Sequence, residues 1–155
     1  MPAPEIDKPA PDCEVTATSD RSFRLSELKG KKYVLYFYPK DSTPGCTTEG
    51  RDFAARYGDF QKLNCEILGV SRDSLKAHEN FRTKQEFPFD LISDPNEKLC
   101  KLYDVIHEKN LYGKKHMGVV RSTFVIDENG ILRQEYRKVK VAGHVDDVLD
   151  FVKAM

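Results

Sequence analysis

The chain has 155 residues, about the length of one domain, and its 25 Lys and Arg balance 25 Asp and Glu. That balance argues against a dedicated nucleic-acid or membrane-surface binder, which would carry a basic excess. A composition of 39% hydrophobic and 32% charged residues fits a folded globular chain, and no apolar run approaches the ~20 residues needed to span a bilayer.

Pro2, Pro4, Pro9 and Pro11 disfavour helix and central strand, so residues 1–12 read as an extended lead-in. The start carries neither a basic leader nor an apolar stretch, so a secretory leader is not expected. Glu14 to Thr18 and Arg21 to Leu25, joined by Ser19-Asp20, predict a hairpin, and Ser26 to Gly30 a helical turn ended by glycine. Tyr33-Val34-Leu35-Tyr36-Phe37-Tyr38 is a continuous apolar and aromatic run, as a strand buried on both faces requires. Pro39 ends it.

After a loop from Lys40 to Gly45, Thr47-Thr48-Glu49 opens a predicted helix with Phe53, Tyr57 and Phe60 on its apolar face. Cys65 to Val70 predicts the next strand. Asp73 or Ser74 caps a helix running to about Glu86, and Phe89 to Ile92 is a short strand. Asp94-Pro95-Asn96-Glu97 reads as a helix start, with Leu99, Leu102, Tyr103 and Ile106 as the buried face. Val119 to Asp127 is predicted as one strand. Glu128-Asn129-Gly130 turns it into a partner at Ile131 to Val139, and Val145, Val148, Leu149 and Val152 stripe a final helix. The expected fold is α/β: one domain over 1–155, with a mixed central sheet flanked by helices and an N-terminal β-hairpin.

Cysteines at 13, 46, 65 and 100 are too widely spaced for a zinc knuckle, and a chain of this length needs no disulfide scaffold. The four histidines are scattered. No metal and no cofactor are expected, and the free-thiol pattern reads as a reducing, cytoplasmic compartment. Cys46 is the cysteine placed for chemistry. It follows a buried strand and a short loop, in the first turn of a helix, where free amides and the macrodipole favour a thiolate. Ionisation alone contributes modestly. A free thiol near pKa ~8.5 is about 3% thiolate at pH 7, so full ionisation gains roughly thirtyfold, or ~2 kcal/mol. A fast thiol enzyme must also stabilise its transition state.

Pro39-x-x-x-Thr43-x-x-Cys46 matches the active-site signature of the peroxiredoxins. The longer run from Tyr38 to Glu49 resembles the bacterioferritin-comigratory, or peroxiredoxin Q, branch. Gly69-Val70-Ser71, Leu91-Ile92-Ser93-Asp94 and Arg121 to Asp127 follow in the expected order, so the resemblance covers nearly the whole chain. It implies a thioredoxin-like fold and thiol-dependent reduction of hydrogen peroxide and alkyl hydroperoxides. Cys46 would be the nucleophile, Thr43 a hydroxyl donor to the sulfur or the attacked oxygen, and Arg121 a permanent cation beside the thiolate. Pro39 would shape and dry the pocket, and Gly45 would support the loop. Glu49 has two readings: a carboxylate that holds Arg121, or an acid that complements the helix dipole.

Branch members often carry a resolving cysteine, either five residues after the first or on the following helix. Arg51 and Arg82 stand at those positions here. The departure points to a one-cysteine cycle completed by an external thiol: thioredoxin, glutaredoxin or glutathione. A monomer is expected. Cys100 is the internal rival as resolver, against its reading as a small core residue; Cys65 reads as packing, and Cys13, after the Pro-rich lead-in, is the one cysteine placed for an intermolecular disulfide. A redox sensor or chaperone-like binding protein using the same Cys46 is the alternative of a different class. The Cys46 to Arg51 spacing falls one residue short of a phosphatase loop. Gly113-Lys114-Lys115-His116 reads as a solvated basic loop.

Overall fold

The computed structural model describes residues 3–155, so the first two residues of the predicted lead-in lie outside the described residues. The rest of the lead-in is tied down: Pro9 bridges Ile131, and the Asp7 amide donates to the Leu132 carbonyl at 2.7 Å. β1 (Glu14–Ala17) and β2 (Arg21–Arg24) form the expected hairpin. Its turn holds Ser19 and Asp20 at φ 61° and 53°, the left-handed pair that matches strand twist. A one-turn 3-10 helix follows at Leu25–Leu28.

β3 (Lys32–Phe37) is an interior strand of a seven-stranded sheet of order β2-β1-β5-β4-β3-β8-β9. It pairs in parallel with β4 (Cys65–Ser71) and antiparallel with β8 (Ser122–Ile126). β5 (Asp90–Ser93) extends the parallel side and β9 (Leu132–Arg137) closes the other edge. Side chains of β3 alternate across the sheet, as the pleat dictates. Val34, Tyr36 and Tyr38 join a core with α1 (Pro44–Lys62), α2 (Leu75–Gln85) and α4 (His144–Ala154). Tyr33, Leu35 and Phe37 join the opposite core, with Val15, Leu25 and α3 (Lys98–Leu102). The mixed sheet with helices on both faces is the fold expected.

Four local expectations are corrected. α1 starts at Pro44, earlier than Thr47, because extended Thr43 serves as N-cap and proline suits the first helical position. The helix after Asp94 is a single short element. Pro95 precedes it, and Asp104 at φ 54° ends it, so Ile106 opens a strand. That strand, β6 (Ile106–Leu111), pairs with β7 (Lys114–Val119) in a separate hairpin turning at Tyr112-Gly113. The basic cluster 113–116 is exposed, as expected, but lies on this hairpin rather than in a loop.

The predicted strand from Val119 to Asp127 is likewise two strands. β7 ends at Val119 and β8 begins at Ser122, because the chain passes from the small hairpin into the main sheet between them. The Val120 amide donates to the Val105 carbonyl at 2.7 Å, and the Arg121 carbonyl accepts from Val139 at 3.0 Å. Arg121 therefore sits at a fixed crossover between two sheets.

Candidate active site

The site forms where β3 runs out. Tyr38 is still bonded to the sheet through Val70 at 3.0 Å, and Pro39 then breaks the ladder. Ser42 takes the left-handed conformation at φ 63° and turns the chain into Thr43, Pro44, Gly45 and Cys46. The first intrahelical bond runs from Thr47 to the Thr43 carbonyl at 2.9 Å. Thr43 makes no side-chain cap, so the first-turn amides of Gly45 and Cys46 keep the partial positive charge of a helix start. Cys46 is 2% exposed and belongs to the core cluster with Tyr36 and Phe53.

Arg121 reaches this point from the crossover just before β8. Its Nη2 donates to Cys46 Sγ at 3.4 Å, and its Nη1 donates to Glu49 Oε1 at 2.6 Å. The guanidinium thus uses two nitrogens of its fork on two targets, a geometry that lysine lacks. Gly45 makes the approach possible: a Cβ there would stand 3.1 Å from Arg121 Nη2. Glu49 has no exposed surface and lies past the first turn of α1. Its geometry matches the holder of Arg121 rather than a dipole partner. Burial pushes its carboxyl up to about 7, against the pull of Arg121. Its second oxygen, Oε2, has no hydrogen-bond partner among the described residues.

The Thr43 hydroxyl differs from expectation. It donates to the Lys40 carbonyl at 2.8 Å, so its one proton is directed back into the loop rather than toward sulfur. Its lone pairs remain for an incoming donor. Pro39 is half-buried and, with Lys40, Arg72, Asp73, Pro95 and Glu97, lines a shallow groove beside the loop. A larger groove near Ser74 and Pro95 is lined by none of the candidate site residues.

The other cysteines are placed differently. Cys100 is fully buried in the core on the far face of the sheet from Cys46. Burial and the nearby Asp94 carboxylate push its thiol well up. Cys13 shares that far core, while Cys65 lies at the start of β4, its thiol pushed up to about 12 by burial. All three fit packing roles. Among the described residues, no group of three or more His, Cys, Asp or Glu is arranged to hold a metal. No helix among them is long and apolar enough to cross a membrane.

Sequence reasoning missed one feature of the site. His78 of α2 and the Tyr38 hydroxyl both meet the Asp41 carboxylate, each at 2.6 Å, directly behind the loop. Asp41 belongs to the quoted motif, but nothing in the spacing of a lone histidine pairs it with that residue.

The chain and its fold have counterparts among known proteins. Residues 6–135 match the AhpC/TSA family. Peroxiredoxin Bcp of Xanthomonas campestris is 52% identical over 154 residues, covering 99% of this chain and 93% of the relative. A structure of the Xanthomonas campestris bacterioferritin comigratory protein, described for its alkyl peroxide reduction activity, superimposes with a TM-score of 0.88. It is 51% identical, covering 92% of this chain and 90% of that one. A cysteine mutant of Xylella fastidiosa PrxQ gives a TM-score of 0.94 at 39% identity, covering 99% and 98% of the two chains. The relationship runs nearly the length of the chain and includes the thioredoxin-like frame, and the chain belongs to the AhpC/TSA family, in its peroxiredoxin Q and bacterioferritin-comigratory branch.

Proposed function

We propose that the chain is a one-cysteine thiol peroxidase with Cys46 as its nucleophile. The observation that carries this is the 3.4 Å contact between Arg121 and the Cys46 sulfur at the start of α1. A fixed cation and helix-start amides stabilise negative charge on sulfur and on the oxygens it attacks. The thiolate attacks the terminal oxygen of a hydroperoxide. The S–O bond forms as the O–O bond breaks, and the bonding pair leaves on the distal oxygen. That oxygen takes a proton and departs as water or an alcohol, leaving Cys46 as a sulfenic acid.

Thr43 fits this step as an acceptor. With its own proton on the Lys40 carbonyl, it can receive the O–H of the attacked oxygen and aim the peroxide along the line of attack. Arg121 serves as the donor from the other side, held by Glu49. Pro39 walls the loop. The reported alkyl peroxide reduction activity of the Xanthomonas campestris relative supports organic hydroperoxides as substrates beside hydrogen peroxide.

Two features support resolution from outside. Arg51 and Arg82 occupy the usual resolving positions, and Cys100 lies across the sheet from Cys46. An external thiol therefore attacks the sulfenic acid, releasing water and forming a mixed disulfide. A second thiol then regenerates Cys46. Thioredoxin, glutaredoxin and glutathione all supply that chemistry. Because Cys46 is 2% exposed, the first turn of α1 must open for a protein reductant to reach its sulfur. We take the working unit to be a monomer of one domain in a reducing compartment.

The test is intact mass after one equivalent of peroxide, with and without thiols, in wild type, Cys46→Ser and Cys100→Ser. Wild type and Cys100→Ser should form a sulfenic acid that becomes a mixed disulfide and turn over peroxide, whereas Cys46→Ser should not. An internal disulfide lost in Cys100→Ser would overturn the one-cysteine cycle. Stoichiometric oxidation without turnover would favour a sensor.

A further inference from the structure

Behind the loop that leads into α1 lies a buried hydrogen-bonded pair that the peroxide chemistry does not use directly. His78 has no exposed surface, and Asp41 is 7% exposed. The His78 Nδ1 lies 2.6 Å from Asp41 Oδ2, and its Nε2 lies 2.9 Å from the Ile92 carbonyl oxygen. Both neighbours are acceptors. Each ring nitrogen is therefore held by an oxygen, so the imidazole has no free edge and cannot turn. A buried polar pair of this kind adds little net stability, because desolvation offsets the attraction. What it does add is a fixed position for Asp41.

That position matters for the loop. Asp41 Oδ1 accepts from the Tyr38 hydroxyl at 2.6 Å, and the Asp41 amide donates to Asp73 Oδ1 at 3.1 Å. The next residue, Ser42, is held at φ 63°, a conformation that a non-glycine residue keeps only when its surroundings impose it. Thr43, the N-cap of α1, follows immediately. Asp41 and Ser42 thus set the direction in which the chain enters the helix, and with it where the Cys46 sulfur and the Thr43 hydroxyl stand relative to Arg121.

We propose that His78, Asp41 and Tyr38 are positioning residues for the peroxidase reaction, clamping the active-site loop from behind so that Cys46 and Thr43 meet a peroxide in line. This inference rests on the peroxidase reading above. None of the three need touch the substrate. The clamp acts through hydrogen bonds, so its charge is dispensable. In Asp41→Asn, the amide oxygen still accepts from Tyr38. The amide N–H can donate to Nδ1 of a neutral His78, whose Nε2–H still reaches Ile92.

The experiment measures the second-order rate of Cys46 oxidation by hydrogen peroxide in single-turnover mixing, with the melting transition recorded for each variant. Asp41→Ala should slow the reaction at least about tenfold at a temperature where it remains folded. Asp41→Asn should recover most of that loss. A folded Asp41→Ala that reacts at the wild-type rate would overturn the clamp, as would an Asp41→Asn as slow as Asp41→Ala. Where Asp41→Ala does not fold, Tyr38→Phe carries the test. It removes one hydroxyl, and about a threefold slower reaction is expected; an unchanged rate would overturn the proposal. Wild type that fails to reduce peroxide at all would overturn the peroxidase reading itself. Active wild type with unaffected variants would overturn the clamp alone.

Discussion

Arg121 Nη2 stands 3.4 Å from the Cys46 sulfur although the two residues are separated by 75 positions in the chain. Its Nη1 is fixed on Glu49 at 2.6 Å, so the fork spans two residues of one helix. Arg121→Lys keeps a charge but not two donors in one plane. Removing a preset donor of this kind costs about 10²- to 10³-fold in rate. We expect Arg121→Met to slow peroxide attack by about that factor, and Arg121→Lys to recover only a small part of it. Stopped-flow rates for Cys46 oxidation check this. A lysine variant reacting at the wild-type rate would show that charge alone suffices.

Gly50 lies one turn after Cys46, against the ring of Phe87. A Cβ at this position would stand 2.4 Å from Phe87 Cζ and 2.9 Å from Cε2, closer than real atoms approach. Alanine gains about 1 kcal/mol in helix propensity over glycine, whereas forcing a methyl group into a packed core costs about 1–3 kcal/mol. Overpacking should win, so Gly50→Ala should lower the urea midpoint despite the better helix former. In Gly50→Ala with Phe87→Leu, the effect of the alanine should turn stabilising relative to Phe87→Leu alone. If Gly50→Ala stabilises the chain with Phe87 in place, the contact is not limiting.

Much of this site was legible because it is local. The run Tyr33 to Tyr38 is apolar or aromatic at every position, and Pro39 must end it, so the strand and its exit could be placed from the residues alone, while the helix start was set three residues late. Gly45 and Cys46 followed from the same stretch. Arg121 was found through family resemblance, since no periodicity links it to position 46. The break between Val119 and Ser122 escaped notice because both flanks are apolar, and pattern does not record a change of partner sheet. The β6–β7 hairpin escaped for the opposite reason. Its residues are largely polar and exposed, and its turn signal is the bare pair Tyr112-Gly113. His78 was invisible because a lone helix histidine acquires meaning only from the loop folded against it.

Glu49 couples the site to pH through stability. Its ordinary carboxyl value of 4.5 rises to about 7 on burial, in spite of Arg121. The folded protein therefore holds a proton that the unfolded chain has released between those values. Its contribution to stability is fully present below about 4.5 and is lost as pH rises through about 7. Glu49→Gln removes this dependence. Urea midpoints across that range should shift in favour of the glutamine variant as pH rises, by up to roughly 3 kcal/mol at the alkaline end. Parallel curves for the two proteins would place the carboxyl at its ordinary value.

His144 supplies the opposite slope. It begins α4 in the core, where its Nε2 lies 2.8 Å from the Thr123 hydroxyl and its ring meets Tyr136 edge-on at 5.1 Å. Burial is the largest influence and pushes the imidazole down from 6.5 to about 4; Asp147 opposes the shift and Arg121 adds to it. The folded state keeps His144 neutral where the unfolded chain takes up a proton. The stability it preserves is complete above about 6.5 and lost as pH falls through about 4. With allowance for partial screening by solvent, the loss is roughly 2 kcal/mol. His144→Gln can still bond Thr123 but does not titrate. Its unfolding midpoint should therefore fall less steeply than that of wild type between pH 6.5 and 4. If both proteins lose stability in parallel over that interval, acid sensitivity arises elsewhere and the buried imidazole does not contribute to it.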